Sequence, residues 1–156
     1  MLFRHEPPIV PADYRFVNQP QKSVILVDDE KAYLDVLSNL MSEHLGWHVV
    51  TFTKPLDALA ALPTLDAGVI VTDYYMPKVD GFEFIRRAAA LVPAVPFILI
   101  SGHTIPLPED RFGGLQALRS ILPKPFGWRR LADEIIRQAP VFGGAGSPAP
   151  ARPAGA

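Results

Sequence analysis

Short, wholly apolar runs alternate with stretches of helical periodicity through most of the chain. Ser23-Val24-Ile25-Leu26-Val27 is β-branched and continuously apolar, the pattern of a strand buried on both faces. From Glu30 to Leu45, apolar residues recur at Tyr33, Val36, Leu37, Leu40 and Met41, a helical stripe that Gly46 closes. His48 to Phe52 reads as a second strand. Thr53 is placed to cap a short helix through Leu62, with Pro55 in its first turn. Ala67 to Thr72 reads as a third strand and Gly81 to Leu91 as a helix with Arg86 and Arg87 solvated. Pro96 to Ile100 gives a fourth strand, Ser120 to Leu122 a fifth, and Trp128 to Gln138 a last helix. Buried strands alternating with helices predict an α/β fold: a doubly wound parallel sheet covered on both faces.

The segment from His103 to Arg119 breaks this rhythm. It holds Pro106, Pro108, Gly113 and Gly114. Proline costs ~3 kcal/mol and glycine ~1 kcal/mol relative to alanine inside a helix. A regular helix across the whole segment is therefore not expected. A short turn after Pro108, or a helix from Gly114 to Arg119, is the most that it allows.

Both ends of the chain differ from this middle. Of 17 prolines, four lie in the first 20 positions and three in the last nine. The stretch from Gly143 onward is rich in Gly, Ala and Pro and cannot bury enough surface to offset its ordering entropy. The expected organisation is an arm over 1–20, a folded domain over 21–140 and a flexible tail over 141–156. Within the arm, Tyr14 to Val17 can add a short strand, although a loosely ordered arm is the simpler reading.

Composition narrows the function. The 156 residues are 49% apolar and 20% charged, enough for a real core. A net charge of −1 lacks the basic excess of a generic nucleic-acid binder. No cysteine is present, which excludes disulfides, thiolate metal sites and a Cys nucleophile. No apolar run approaches the ~18 residues of a membrane span. A soluble, cytoplasmic protein is expected.

The candidate chemistry sits at strand ends. Asp28 and Asp29 follow the first strand and Asp73 follows the third. In an open parallel sheet, ligands bind beyond the carboxyl ends of the strands. With strand order 2-1-3-4-5 the three carboxylates converge, and clustered carboxylates repel unless a cation or a shared proton intervenes. A hard divalent ion such as Mg²⁺, which takes oxygen ligands, answers that need. Asp is also common at strand ends and helix caps, which explains one such residue easily and three less well. Ser101 ends the fourth strand and Lys124 the fifth. A hydroxyl and an ammonium beside a carboxylate–metal cluster suit a phosphoryl group on a carboxylate.

Val27-Asp28-Asp29-Glu30, Val71-Thr72-Asp73-Tyr74-Tyr75-Met76-Pro77, Asp80-Gly81, Ser101-Gly102 and Lys124-Pro125-Phe126 resemble the receiver domain of bacterial two-component response regulators, the CheY-like type, over roughly 21–140. The resemblance implies a five-stranded flavodoxin-like fold with an atypical fourth helix in the 103–119 segment. It implies that Asp73 accepts a phosphoryl group from a histidine kinase or histidine phosphotransfer protein. Asp28, Asp29, Asp73 and the backbone carbonyl of Tyr75 would hold Mg²⁺, while Ser101 and Lys124 would contact the phosphoryl oxygens. Mg²⁺ and Lys124 would lower the pKa of Asp73, keeping the nucleophile ionised. Lys124–Pro125 is a candidate cis peptide.

Several family positions are unusual here. Ile121 stands where the family carries a switch Tyr or Phe, and it has no ring for the hydroxyl–aromatic coupling that the resemblance implies. Tyr75 and His103 occupy the two positions that influence hydrolysis of the phosphoryl group. Their large rings would crowd the path of attacking water, although a solvent-facing Tyr75 and a turn-capping His103 explain them equally well.

The reading is a phosphoacceptor switch, not an enzyme, that signals through contacts with a downstream protein, with a homodimer left open. One alternative is a receiver-like interaction module that is not phosphorylated. Another is the receiver part of a longer multidomain regulator. A haloacid dehalogenase-type phosphohydrolase would carry a second Asp where Tyr75 stands. A flavin-binding reading rests on fold analogy alone.

Overall fold

The computed structural model describes residues 21–102 and 115–143. The elements are β1 (Ser23–Val27), α1 (Lys31–Leu45), β2 (His48–Phe52), α2 (Pro55–Ala61), β3 (Ala67–Asp73), α3 (Gly81–Leu91), β4 (Phe97–Ser101), β5 (Leu118–Pro123) and α4 (Trp128–Gln138). The five strands form one parallel sheet in the order β2-β1-β3-β4-β5. This is the doubly wound order that the sequence predicts.

Every residue of β1, β3 and β4 is buried, which is why these strands read as unbroken apolar runs. Successive side chains serve opposite faces. Val24, Leu26, Val69, Val71, Ile98 and Ile100 pack with Leu34, Leu37 and Met41 of α1 and Leu131 and Ile135 of α4. Ile25, Val27, Ile70, Phe97 and Leu99 pack with Ala58 of α2 and Phe82, Phe84, Ile85 and Ala88 of α3. The edge strand β2 is only partly covered.

Local signals set the helix ends. Gly46 takes a left-handed conformation at φ 64° and its N–H donates to the Ser42 carbonyl, closing α1. Asp80 caps α3 by accepting from the Glu83 N–H at 2.9 Å. Pro55 occupies the first turn of α2 and holds the preceding Lys54 in extended backbone. Lys54, not Thr53, is therefore the cap residue, with no side-chain cap bond. The helix ends at Ala61, and Leu62–Thr64 tightens into a 3-10 turn.

The helix from Gly114 to Arg119 that the sequence allowed does not form. Leu118 N–H donates to Leu115 O at 3.0 Å, and Phe97 N–H donates to Ala117 O at 2.9 Å. These bonds commit the backbone to a turn and then to pairing with β4, so β5 begins at Leu118. The expected turn after Pro108, the atypical fourth helix before Leu115, the arm with Tyr14 to Val17, and the tail beyond Gly143 lie outside the described residues.

The chain continues in a 3-10 turn over Pro140–Gly143. Its Phe142 is buried, with its ring 5.3 Å from that of Trp47. A Cβ on Gly68 would fall 2.7 Å from the Phe142 ring, so Gly68 leaves the space that the ring fills. Val141 to Gly143, which the sequence reading assigns to the tail, thus belong to this packed turn.

Candidate functional site

The sheet register levels the carboxyl ends of the strands. Val27 pairs with Thr72, Asp73 with Ile100, and Ser101 with Pro123. Three backbone bonds extend the β1–β2, β3–β4 and β4–β5 ladders in turn: Asp28 N–H to Phe52 O at 3.1 Å, Tyr74 N–H to Ile100 O at 2.9 Å, and Lys124 N–H to Ser101 O at 2.7 Å. Asp28, Asp73, Ser101 and Lys124 therefore emerge at one edge because each ends or follows a strand.

Carboxylate oxygens of Asp28, Asp29 and Asp73 lie within 4.8 Å of one another. Asp28 and Asp73 are buried, while Asp29 is exposed. Asp28 Oδ1 accepts from the Glu30 N–H at 2.9 Å, fixing its orientation across the start of α1. Lys124 Nζ donates to Asp28 Oδ2 at 3.3 Å and lies 3.5 Å from Asp73 Oδ1. The Lys124–Pro125 peptide is cis.

Burial is the main influence on both inner carboxyls. It raises Asp28 above the ordinary carboxylate value, with Lys124 and the Glu30 N–H opposing. It raises Asp73 as well, and the neighbouring Asp28 adds to the rise. The sequence reading expects Lys124 and a metal to hold Asp73 low. By the protein's own groups alone the opposite direction prevails, because one partly exposed ammonium does not offset burial and a like charge.

This imbalance bears on the metal. Three carboxylates face one ammonium, an all-oxygen donor set with an excess of two negative charges. That set fits a hard divalent cation such as Mg²⁺, which takes a few carboxylates and keeps waters for its remaining positions.

The site rests on a tightly held backbone. Thr72 Oγ1 donates to Asp73 O at 3.0 Å, and Gly81 N–H donates to Tyr74 O at 2.8 Å. A Cβ on Gly81 would lie 2.7 Å from Asp73 O and 2.9 Å from Tyr74 Cα. The glycine of the Asp80-Gly81 pair thus lets α3 start against the strand that carries Asp73.

Of the remaining predicted residues, Ser101 is buried at the end of β4. Tyr75 is 54% exposed, and its ring packs edge-on against Tyr74 with centroids 4.8 Å apart. Ile121 is half-buried, pairs with Leu99 and joins the α2–α3 side of the core. His103 lies outside the described residues.

One site residue escapes the sequence reading. Tyr33, read there only as part of an apolar stripe, places its ring 4.7 Å from Lys124 Nζ. Its hydroxyl is pushed up to about 12, first by burial and then by Asp28 and Asp73. Its position four residues after Asp29, in the first turn of the helix leading away from the site, was the available signal.

Comparison with known proteins agrees with this arrangement. The model of the response regulator receiver domain matches residues 24–136. Receiver protein CpdR of Brucella abortus is 30% identical over 115 residues, covering 73% of this chain and 93% of that protein. Transcriptional regulatory protein FixJ of Bradyrhizobium diazoefficiens is 33% identical, covering 74% of this chain and 57% of its own length. For the C4-dicarboxylate transport regulator DctD of Rhizobium meliloti the values are 32%, 75% and 24%. The chain thus spans about a quarter to three fifths of these two longer regulators. Chemotaxis protein CheY4 of Vibrio cholerae superposes with a TM-score of 0.68 at 24% identity, over 76% of this chain and 98% of that one, a likeness of fold. With family model, relatives and fold in agreement, the chain belongs to the response regulator receiver domain family.

Proposed function

We infer that Asp73 is the phosphoacceptor and that the chain is a two-component switch charged by a histidine kinase or histidine phosphotransfer protein. The observation that carries this reading is the convergence of Asp28, Asp29 and Asp73 with Lys124 at the carboxyl edge of the sheet. An Asp73 carboxylate oxygen attacks phosphorus, forming a P–O bond as the P–N bond to the donor imidazole breaks. The leaving imidazole retains the bonding pair and is protonated. Lys124 and Ser101 neutralise and hydrogen-bond the phosphoryl oxygens, which is positioning and charge stabilisation rather than acid–base chemistry. Asp28, Asp29, Asp73 and the backbone carbonyl of Tyr75 would hold Mg²⁺. The ion supplies charge neutralisation that lets Asp73 act as an anion and steadies the transferring group.

The product is a state of the protein and not a released compound, so the chain is a signalling module rather than a turnover enzyme. Its downstream target is a protein, and the cytoplasm is the compartment that fits. No helix among the described residues is long and apolar enough to cross a membrane. The span shared with longer regulators also fits a receiver within a larger protein.

The test is incubation of the full chain with Mg²⁺ and acetyl phosphate, followed by intact mass measurement. A phosphoryl adduct on the native protein, absent after Asp73→Ala and absent without Mg²⁺, is expected. No adduct on the native protein would favour a receiver-like interaction module that is not phosphorylated.

A further inference from the structure

Lys124 is held by more than carboxylates. Asp28 Oδ2 at 3.3 Å and Asp73 Oδ1 at 3.5 Å attract its ammonium from one side. The ring of Tyr33 meets the same nitrogen at 4.7 Å from its centroid. Tyr33 is well placed for such a task. It lies in the first turn of α1, next to buried Leu34, and packs against the core layer formed by α1 and α4. The lysine is a charge on a flexible four-carbon stem, and ordering that stem has an entropic cost. An aromatic face next to an ammonium attracts it electrostatically and keeps water away from it. Here the attraction places the charge before any phosphoryl group arrives.

We propose that Tyr33 is a positioning residue for phosphoryl transfer: its ring fixes the Lys124 ammonium beside Asp73, so that the charge meeting the incoming phosphoryl oxygens is preorganised. This rests on Asp73 being the phosphoacceptor. The contact supplies Lys124 with an aromatic neighbour from α1. The role belongs to the ring and not to the hydroxyl, so phenylalanine preserves it and leucine does not. It acts through Lys124, so without that lysine the ring has nothing to position.

The test uses the full chain, acetyl phosphate and saturating Mg²⁺, with the rate of phosphoryl adduct formation read by intact mass. Tyr33→Leu is expected to slow the reaction by about fivefold, a size set by the strength of a partly buried cation–π contact. Tyr33→Phe stays within about twofold of the native rate, since it keeps the π face. Mg²⁺ affinity, measured by titration calorimetry, stays the same in both variants. In a Lys124→Ala background, Tyr33→Leu produces no additional slowing. Equal slowing with and without Lys124, a Phe variant as slow as the Leu variant, or a Leu variant at the native rate would each overturn the proposal. An absent adduct on the native chain would instead overturn the assignment of Asp73, and the role of Tyr33 would fall with it.

Discussion

Lys124 Nζ stands 3.5 Å from Asp73 Oδ1, so the end of β5 supplies the ammonium that faces the carboxylate at the end of β3. The same nitrogen also bonds Asp28. Removing it leaves two buried carboxylates facing each other. Lys124→Ala should destabilise the protein by about 1–3 kcal/mol in low-salt buffer containing a chelator, since a buried charge loses its partner. Excess Mg²⁺ should recover much of that loss. Urea unfolding with and without Mg²⁺ checks both statements; an unchanged midpoint in chelator would mean that the pairing carries no stability.

The pH dependence follows from the raised Asp28 and Asp73 carboxyls. The folded state releases these protons at higher pH than the unfolded chain. The stabilising contribution is therefore full below the ordinary value of 3.8 and is lost as pH rises through the folded values. At neutral pH without Mg²⁺ the pair is a liability. Asp28→Asn keeps an oxygen for the Glu30 N–H and removes one charge; it also gives up the 3.3 Å bond from Lys124, whose ammonium keeps Asp73 as a partner. It should stabilise the protein in chelator at pH 7 by about 1 kcal/mol, some 2–4 °C in Tm. The advantage should shrink as pH falls toward 4. A variant less stable than the native protein at pH 7, or a gap independent of pH, would contradict this.

Gly81 is constrained from two sides. The atoms that an added Cβ would meet include Asp73 O at 2.7 Å and Tyr74 Cα at 2.9 Å, and backbone cannot rotate away as a side-chain tip can. Gly81→Ala should cost about 1–3 kcal/mol through overpacking. Because the displaced backbone carries Asp73, Mg²⁺ affinity should weaken as well. Thermal unfolding and titration calorimetry on the same variant provide the check.

The central strands were legible because they are buried on both faces, which leaves a continuous apolar run. The spans of α1, α3 and α4 were legible in the sequence, that of α1 because Gly46 closes its apolar stripe. The stretch before Ser120 was not, because a short Leu-Gln-Ala-Leu-Arg run suits helix and strand alike. Pairing with Phe97 decides it, and that is a tertiary fact. The acidic cluster and Lys124 could be read because each sits at a strand end. Tyr33 was hidden by its apolar spacing, since its contact with Lys124 appears only when α1 and β5 are brought together.

The turn after α4 yields a test of packing far from the chemistry. Phe142 lies against Trp47 and over Gly68. Phe142→Ala should cost about 3–4 kcal/mol, as for other buried phenylalanines. Gly68→Ala should be harmful in the native protein, where its methyl meets the ring. It should cost less in the Phe142→Ala background, where that space is open. Equal costs in the two backgrounds, measured by urea unfolding, would show that ring and glycine are not coupled.

The central claim is that Asp73, and neither Asp28 nor Asp29, carries the phosphoryl group. An acyl phosphate can be trapped by borohydride, which reduces the modified aspartyl side chain to that of homoserine. The direct measurement is peptide mass mapping after acetyl phosphate, Mg²⁺ and borohydride treatment of the full chain. The account predicts conversion at position 73 alone, with Asp28 and Asp29 unmodified. Conversion at Asp28 or Asp29, or a phosphoryl adduct that persists in Asp73→Asn, would contradict it.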